Sequence, residues 1–152
     1  MTEKLYRPKV DQIGVIVKDL KKSVEHYTSL GIGPFETLTG IESRERMMWG
    51  KPIAVDAFKV DIRVAKMGDV DLELIEPIEG ESIWKDFLET KGEGINHLGF
   101  FVDDIEKEEA AMVESGFPAI YRTRFKKGGG AAYFDTDQVG GVLFEFIEWP
   151  PT

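Results

Sequence analysis

The sequence has no cysteine, which excludes disulfide bonds, thiolate metal ligands and catalysis by a cysteine nucleophile. It also has no long apolar run, and its short hydrophobic stretches are interrupted by charged residues too often to span a bilayer. The N-terminal segment MTEKLYRPKVD lacks the apolar stretch of a secretory signal. These absences lead us to expect a cytoplasmic protein.

Basic residues are in deficit. The chain has 19 Lys and Arg against 28 Asp and Glu, a formal net charge of -9. Such a charge repels nucleic acid and anionic membranes, and the best basic stretch, residues 122–127 (RTRFKK), is short. We therefore expect a small-molecule substrate as the partner, with no nucleic acid and no membrane. The 152 residues, 42% of them hydrophobic, suit one compact domain or two small modules.

Two segments of the chain share one pattern. Residues 10–20 (VDQIGVIVKDL) align without a gap with residues 95–105 (INHLGFFVDDI). Each segment alternates apolar and polar positions as a strand does, and each is followed by apolar residues at helical spacing. Both helical stretches end at a glycine, Gly31 or Gly116, the residue favoured just beyond a helix C-terminus. An internal duplication is therefore predicted.

The ends of the two units match as well. Residues 71–76 (DLELIE) align with residues 143–148 (LFEFIE). Between helix and last strand the first unit is longer, and the excess, around ESRERMMWGKP within residues 37–55, resembles a loop. Two further strands are predicted in each unit, at 35–41 and 54–66 and at 119–125 and 131–135.

The order strand, helix and three strands predicts an α+β fold of two tandem βαβββ modules, which form a curved mixed sheet around a central cavity. The first module is expected at residues 8–78 and the second at 94–149, with a connecting helix within 79–93 that Ser82 caps. The alternative is a chance similarity between two strand–helix starts, as in a ferredoxin-like fold.

Strand alternation gives the predicted site. Gln12, Glu73, His97 and Glu145 fall at repeat-equivalent positions, on the strand face opposite the apolar residues that would pack against helices. Two buried carboxylates are costly side by side unless a cation lies between them. Mixed oxygen and nitrogen ligands suit zinc, nickel, cobalt, manganese or iron better than calcium. We therefore predict one divalent metal ion on these four side chains.

Ordinary explanations exist for each of these residues. A histidine in a strand is often a satisfied polar residue, and a strand glutamate usually faces solvent, as we expect for Glu76 and Glu148. Arg122 and Arg124 could bind an anionic substrate tail, or could simply guard an exposed strand edge.

Three segments carry a family resemblance: HLGFFVDDIE at His97, VDLELIEP at Glu73 and DQVGGVLFEFIE through Glu145. They resemble the vicinal oxygen chelate superfamily (glyoxalase, bleomycin resistance protein, dioxygenase), especially methylmalonyl-CoA epimerase and lactoylglutathione lyase. The resemblance implies βαβββ modules with one metal ligand on the first and last strand of each. A Gln, Glu, His, Glu set is similar to that of some zinc-using lactoylglutathione lyases.

The chain departs from two branches of that superfamily. Epimerases usually carry histidine where Gln12 stands, and a catalytic glutamate where this chain has Ala57, with Asp56 beside it. Extradiol dioxygenases use two histidines and one glutamate on iron, whereas the second histidine here, His26, lies on the first predicted helix.

The resemblance implies a metal-dependent lyase or isomerase that moves a proton next to a chelated carbonyl through an enediolate or enolate. Glu145 is expected as the general base, with Glu73 as a ligand or an opposing base. Epimerase-like racemisation of an acyl-CoA and non-catalytic binding of a small molecule are the alternatives. A homodimer with edge-to-edge pairing is also expected, and the site could form within one chain or between two.

Overall fold

The computed structural model describes residues 9–152, and residue 8, where the first module was predicted to begin, lies outside them. The predicted module boundaries stay predictions. The helices and strands, in chain order, are β1 Gln12–Ile16, α1 Leu20–Ser29, β2 Phe35–Thr37, β3 Ser43–Met48, β4 Lys51–Ile53, β5 Lys59–Met67, β6 Val70–Glu79, α2 Ile83–Lys91, β7 Gly94–Phe101, α3 Ile105–Glu114, β8 Ala119–Phe125, β9 Gly130–Phe134 and β10 Leu143–Glu148. Within this range, no helix combines the length and apolarity needed to cross a membrane.

One mixed sheet contains all ten of these strands, in the order β2-β5-β6-β1-β7-β10-β9-β8-β3-β4. The first strand of each repeat pairs in parallel with the last strand of the same repeat, β1 with β6 and β7 with β10. The two first strands pair antiparallel with each other, which joins the repeats at the centre of the sheet. The predicted α+β fold, with tandem βαβββ units around a curled sheet, is confirmed.

The outer face of the sheet is covered by α1 and α3. Apolar residues of β1 and β6 pack with Leu20 of α1, and those of β7, β9 and β10 pack with Ile105 and Met112 of α3. Each helix begins at an aspartate, Asp19 or Asp104, whose carboxylate accepts a hydrogen bond from the first turn. The connecting helix α2 begins after its predicted cap, Ser82.

Glu76 and Glu148 do not simply face solvent, as the sequence had suggested. Glu76 accepts a hydrogen bond from the backbone N–H of Leu20 at 2.7 Å, and Glu148 accepts one from the N–H of Ile105 at 2.9 Å. Both carboxylates therefore satisfy donors at the N-terminus of a helix, where the helix dipole favours negative charge. The last strand of each repeat thus fixes the position of the helix that packs on it.

The segment that resembled a loop forms a β-hairpin, β3–β4, so that interpretation was wrong. β3 pairs antiparallel with β8, at the far edge of the second repeat, and Met48 on β3 is buried. β2 is shorter than predicted and β5 begins later, at Lys59. The charged stretch SRER did not predict a strand, because the partner strand β8 is distant in sequence and only tertiary folding brings the two together.

The two edges of the sheet are short. β2 and β4 have 3 residues each, and β4 contains Pro52, which has no N–H to donate. Short edges with proline discourage pairing with another chain. They leave little backbone for edge-to-edge association, and the homodimer stays a prediction.

Burial of Met48 predicts that the hairpin contributes to stability. We expect Met48→Ala to lower the free energy of unfolding by about 2–4 kcal/mol, because it leaves a cavity in the core beneath β3. Met67→Ala, at an exposed position on β5, is the matched control and should change it by less than about 0.5 kcal/mol. Denaturant unfolding followed by circular dichroism measures both. Equal effects would show that the hairpin is not packed as described.

Candidate metal centre

Four polar side chains meet at the centre of the sheet. Gln12 on β1, Glu73 on β6, His97 on β7 and Glu145 on β10 are 2%, 5%, 0% and 7% exposed. They come from the first and last strands of both repeats of a single chain. Three of them, Glu73, His97 and Glu145, offer ligand atoms that lie within 4.8 Å of one another.

Oxygen atoms surround one nitrogen of His97. Its Nε2 lies 3.1 Å from Oε1 of Glu145, 3.4 Å from Oε1 of Glu73 and 3.3 Å from Oε1 of Gln12. The Gln12 amide donates to the other oxygen of Glu73 at 3.2 Å, which leaves its own oxygen directed at the histidine. The four side chains predicted from the sequence are therefore brought together.

Asn96 sets the orientation of the His97 ring. Nδ1 of His97 lies 3.0 Å from Oδ1 of Asn96, and an amide oxygen only accepts, so Nδ1 carries the proton. In the neutral ring Nε2 then carries the lone pair, which is the form in which it could bind a metal ion. Metal-binding histidines are commonly oriented by such a hydrogen bond on the other ring nitrogen. The sequence analysis missed Asn96, although its place directly before His97 was a possible signal.

The electrostatics of the cluster demand a positive charge. Burial lowers the pKa of His97, but hydrogen bonds and charges from Glu145 and Glu73 outweigh burial and raise it to about 9. Burial raises the pKa of Glu145, and the charge of Glu73 adds to that rise, while His97 opposes it. Oε1 of Glu145 lies 3.1 Å from Nε2 of His97, close enough to accept a hydrogen bond when that nitrogen is protonated. Without a metal, a proton on His97 is the available counter-charge.

Two glycines make room for these side chains. Gly14 lies opposite both His97 and Glu73 in the sheet, and Gly99 lies opposite both Gln12 and Glu145. A Cβ on Gly14 would fall 1.9 Å from Cε1 of His97, inside the imidazole ring's van der Waals envelope. A Cβ on Gly99 would fall 2.9 Å from Oε1 of Gln12. Each glycine therefore leaves free the space that the polar side chains of its two neighbouring strands occupy.

This donor set fits a divalent cation. Two carboxylates neutralise its charge, and a bare imidazole nitrogen and an amide oxygen add neutral ligands. The crowding of three oxygen atoms around Nε2 of His97, two of them from buried carboxylates, is relieved by a cation among them. Gln12, Glu73, His97 and Glu145 are thus the residues that could hold the metal.

The carboxylates border a cavity of about 250 Å³ inside the curved sheet. Its walls are mostly apolar and aromatic, and Phe58, Trp84, Tyr121 and Tyr133 form a run of ring contacts along it. The cavity volume is smaller than the usual 300–1,000 Å³ of pockets for drug-sized ligands. The space suits a small molecule, or one end of a larger one.

Tyr133 connects the aromatic wall to the ligand cluster. Its ring packs edge-on against His97 at 4.9 Å between centroids, and its hydroxyl accepts from Nε1 of Trp84 at 3.3 Å. Burial, with the charges of Glu145 and Glu73, raises the pKa of Tyr133 well above its usual value, so the hydroxyl stays protonated. The sequence did not reveal this residue, because the contact joins β9 to α2 and β7.

Arg122 and Arg124 do not line the cavity, which corrects their predicted role in binding substrate. They lie on the outer face of β8, where Arg122 pairs with Glu109 at 2.9 Å and Arg124 pairs with Glu106 at 2.7 Å. Arg124 also contacts Glu109. The alternation of β8 explains the difference, because Tyr121, Thr123 and Phe125 face the cavity and the arginines between them face α3.

Comparison with known proteins agrees with this geometry. Residues 11–134 match the family model of the glyoxalase/bleomycin resistance protein/dioxygenase superfamily. The chain belongs to this superfamily. The match covers most of the chain, including Gln12, Glu73 and His97.

Relatives of this superfamily member include the Bacillus subtilis protein YqjC, which is 27% identical over 143 residues, 92% of this chain and 91% of YqjC. The solved structure of the hypothetical protein BH1468 from Bacillus halodurans is 28% identical, with a TM-score of 0.68 over 95% of this chain and 96% of that one. A Streptomyces coelicolor methylmalonyl-CoA epimerase in complex with 2-nitronate-propionyl-CoA is 23% identical, with a TM-score of 0.70 over 93% and 97%. That likeness shows the shared fold.

The close approach of Gly14 to His97 gives a direct test of the metal centre. We expect Gly14→Ala to lower zinc affinity at least about tenfold, because the new methyl group displaces the imidazole. Gly99→Ala should have a smaller effect, since its Cβ would fall 2.9 Å from Cβ and Oε1 of Gln12, a longer contact than the 1.9 Å at Gly14. Equilibrium dialysis with elemental analysis measures both. Wild-type affinity in Gly14→Ala would contradict the described ring position.

Proposed function

We propose that this superfamily member is a divalent-metal-dependent lyase or isomerase of the glyoxalase type, which moves a proton next to a chelated carbonyl of a small-molecule substrate. One observation carries the proposal. Two buried carboxylates from different repeats approach the same nitrogen of His97, and both border the cavity where a substrate would lie. A purely structural site would have no need of an adjoining cavity.

In this proposal Gln12, Glu73, His97 and Glu145 hold the ion. When bound, a divalent metal polarises a carbonyl as a Lewis acid and so acidifies the neighbouring C–H bond. Asn96 keeps the imidazole in the required tautomer, and the apolar walls around Trp84 and Tyr133 exclude water from the reacting carbon.

Glu145 is the proposed general base. It borders the cavity, and burial raises its pKa toward the range in which a carboxylate exchanges protons well. Glu73 is restrained by the Gln12 amide at 3.2 Å. Glu145 would take the proton from the carbon beside the carbonyl, while Glu73 holds the ion and faces the substrate as the opposing carboxylate.

An epimerase acting on an acyl-CoA is the second candidate. Several solved structures of similar fold are methylmalonyl-CoA epimerases, and one is described as a complex with methylmalonyl-CoA. Against this reading, Asp56 and Ala57, at the position where a catalytic glutamate was expected, are exposed and do not line the cavity. Gln12 also stands where epimerases usually carry histidine. The glyoxalase-type reaction is therefore placed first.

Non-catalytic binding is the third reading, and the buried acidic pair argues against it. A protein that only encloses a ligand has no need to bury Glu73 and Glu145 together, which costs several kcal/mol without a cation. A small-molecule partner is common to all three readings. On each of these three readings, the homodimer stays a prediction.

Substitution of Glu145 tests the proposal. We expect zinc-saturated Glu145→Gln to lose about 10²- to 10⁴-fold in kcat, because the amide cannot accept the proton. Glu79→Gln, at the exposed end of β6, is the matched control and should keep full activity. Turnover would be measured with methylglyoxal hemithioacetals and with branched acyl-CoA thioesters, with each metal ion tested in turn.

The substrate panel separates the three readings. Metal-dependent isomerisation of a hemithioacetal supports the lyase, and exchange of the acyl-CoA α-proton supports the epimerase. Ligand binding without turnover in the presence of any of the metal ions would support the non-catalytic binding protein. Unchanged kcat in Glu145→Gln would remove Glu145 as the base.

A further inference from the structure

Arg46 stands apart from the other charged residues of the hairpin. It lies on β3 opposite Thr123 of β8, and it lines the same cavity as the two carboxylates. Within the part of the chain that the structure describes, it is the one basic side chain on the cavity wall. The hairpin thus brings a cation from the first repeat onto the wall of the second.

The guanidinium group of Arg46 is held in place but not neutralised. Its Nε donates to the hydroxyl of Ser43 at 3.2 Å, and Ser43 is linked to Thr123 at 2.6 Å. Its central carbon lies over the ring of Phe58 at 4.5 Å. Among residues 9–152 it forms no ion pair with a carboxylate, and none of these residues takes up its terminal NH₂ groups, to which a ligand could bind.

The neighbouring arginines show the contrast. Arg122 and Arg124 on the paired strand each meet a glutamate of α3 and are thereby neutralised. Arg46 points to the other face of the sheet, toward the cavity. A fixed, unpaired guanidinium group in a partly enclosed site is a ready receptor for a carboxylate, because its planar fork matches two carboxylate oxygens.

Charge balance supports the same reading. A divalent ion on Glu73 and Glu145 gives a centre of zero net charge, so Arg46 leaves the cavity with one uncompensated positive charge. A ligand carrying a single carboxylate would neutralise it. The aromatic wall connects the two ends of the cavity, since Phe58 beneath Arg46 contacts Trp84, Trp84 contacts Tyr133, and Tyr133 packs on His97.

We propose that Arg46 binds a carboxylate of the substrate, so that the cavity takes a small carbonyl compound with a carboxylate at one end, chelating oxygens at the other and an apolar body between them against Phe58 and Trp84. The chelating end rests on the proposed function. The carboxylate end rests on the position and hydrogen bonding of Arg46 in the cavity, and only its charge balance also assumes the metal ion. The hairpin that the sequence concealed would then determine substrate specificity.

Matched hydroxamates test this site. A hydroxamate chelates zinc through two oxygens, and 4-carboxybenzohydroxamate differs from 4-carbamoylbenzohydroxamate only in the charge at its far end. Calorimetric titration of the zinc-loaded protein should show the carboxylated probe binding about tenfold more tightly or better, as expected for a charged hydrogen bond. Arg46→Gln should abolish that preference while leaving the affinity for the carbamoyl probe unchanged.

Arg44→Gln is the matched control, because it removes the same charge from an exposed side chain two residues away. It should keep the full preference for the carboxylated probe. Arg46→Met, which keeps an apolar stem over Phe58, replaces Arg46→Gln if the latter does not fold, and the same outcomes apply to it.

The outcomes separate the two proposals. A wild-type protein without the preference, or an Arg46→Gln variant that retains it, overturns the carboxylate site. If only the carboxylated probe binds, and binds through Arg46, the carboxylate site stands and the open metal position of the proposed function fails. If neither probe binds, both proposals are overturned.

Discussion

The structure depends on the positive charge required at the centre of its sheet. Three oxygen atoms approach Nε2 of His97 within 3.4 Å, and two of them belong to buried carboxylates, Glu73 and Glu145. Such an arrangement is stable only with a proton or a metal ion among the lone pairs. The duplicated strands supply these side chains in pairs, and Gly14 and Gly99 leave the space that the pairs occupy.

Strand alternation assigns different tasks to glutamates that lie close together in sequence. Glu73 and Glu145 point into the curved sheet, whereas Glu76 and Glu148 point to its outer face and accept from the first turns of α1 and α3. The same strand therefore positions a candidate ligand on one face and a helix on the other. This coupling ties the candidate ligands to the strands that also position the two outer helices.

The two repeats are symmetric at the metal centre and asymmetric in the cavity. The first repeat carries the β3–β4 hairpin, which pairs with β8 and extends the second repeat's edge. That crossing places Arg46 on the cavity wall without a matching residue from the other repeat. The shared symmetry builds the candidate metal centre, and the inserted hairpin shapes the other end of the cavity.

By itself, the sequence determined the duplication and the helices with their ends. It also identified the four polar side chains that meet in the structure, Gln12, Glu73, His97 and Glu145. Repeat alignment and two-residue alternation give these features because both can be read without knowing which strands pair. Tertiary structure alone decided the rest. The hairpin, the cavity position of Arg46 and the outward pairing of Arg122 and Arg124 all depend on which strand lies beside β8. This pairing is a contact between segments far apart in the chain, and local sequence propensity does not predict it.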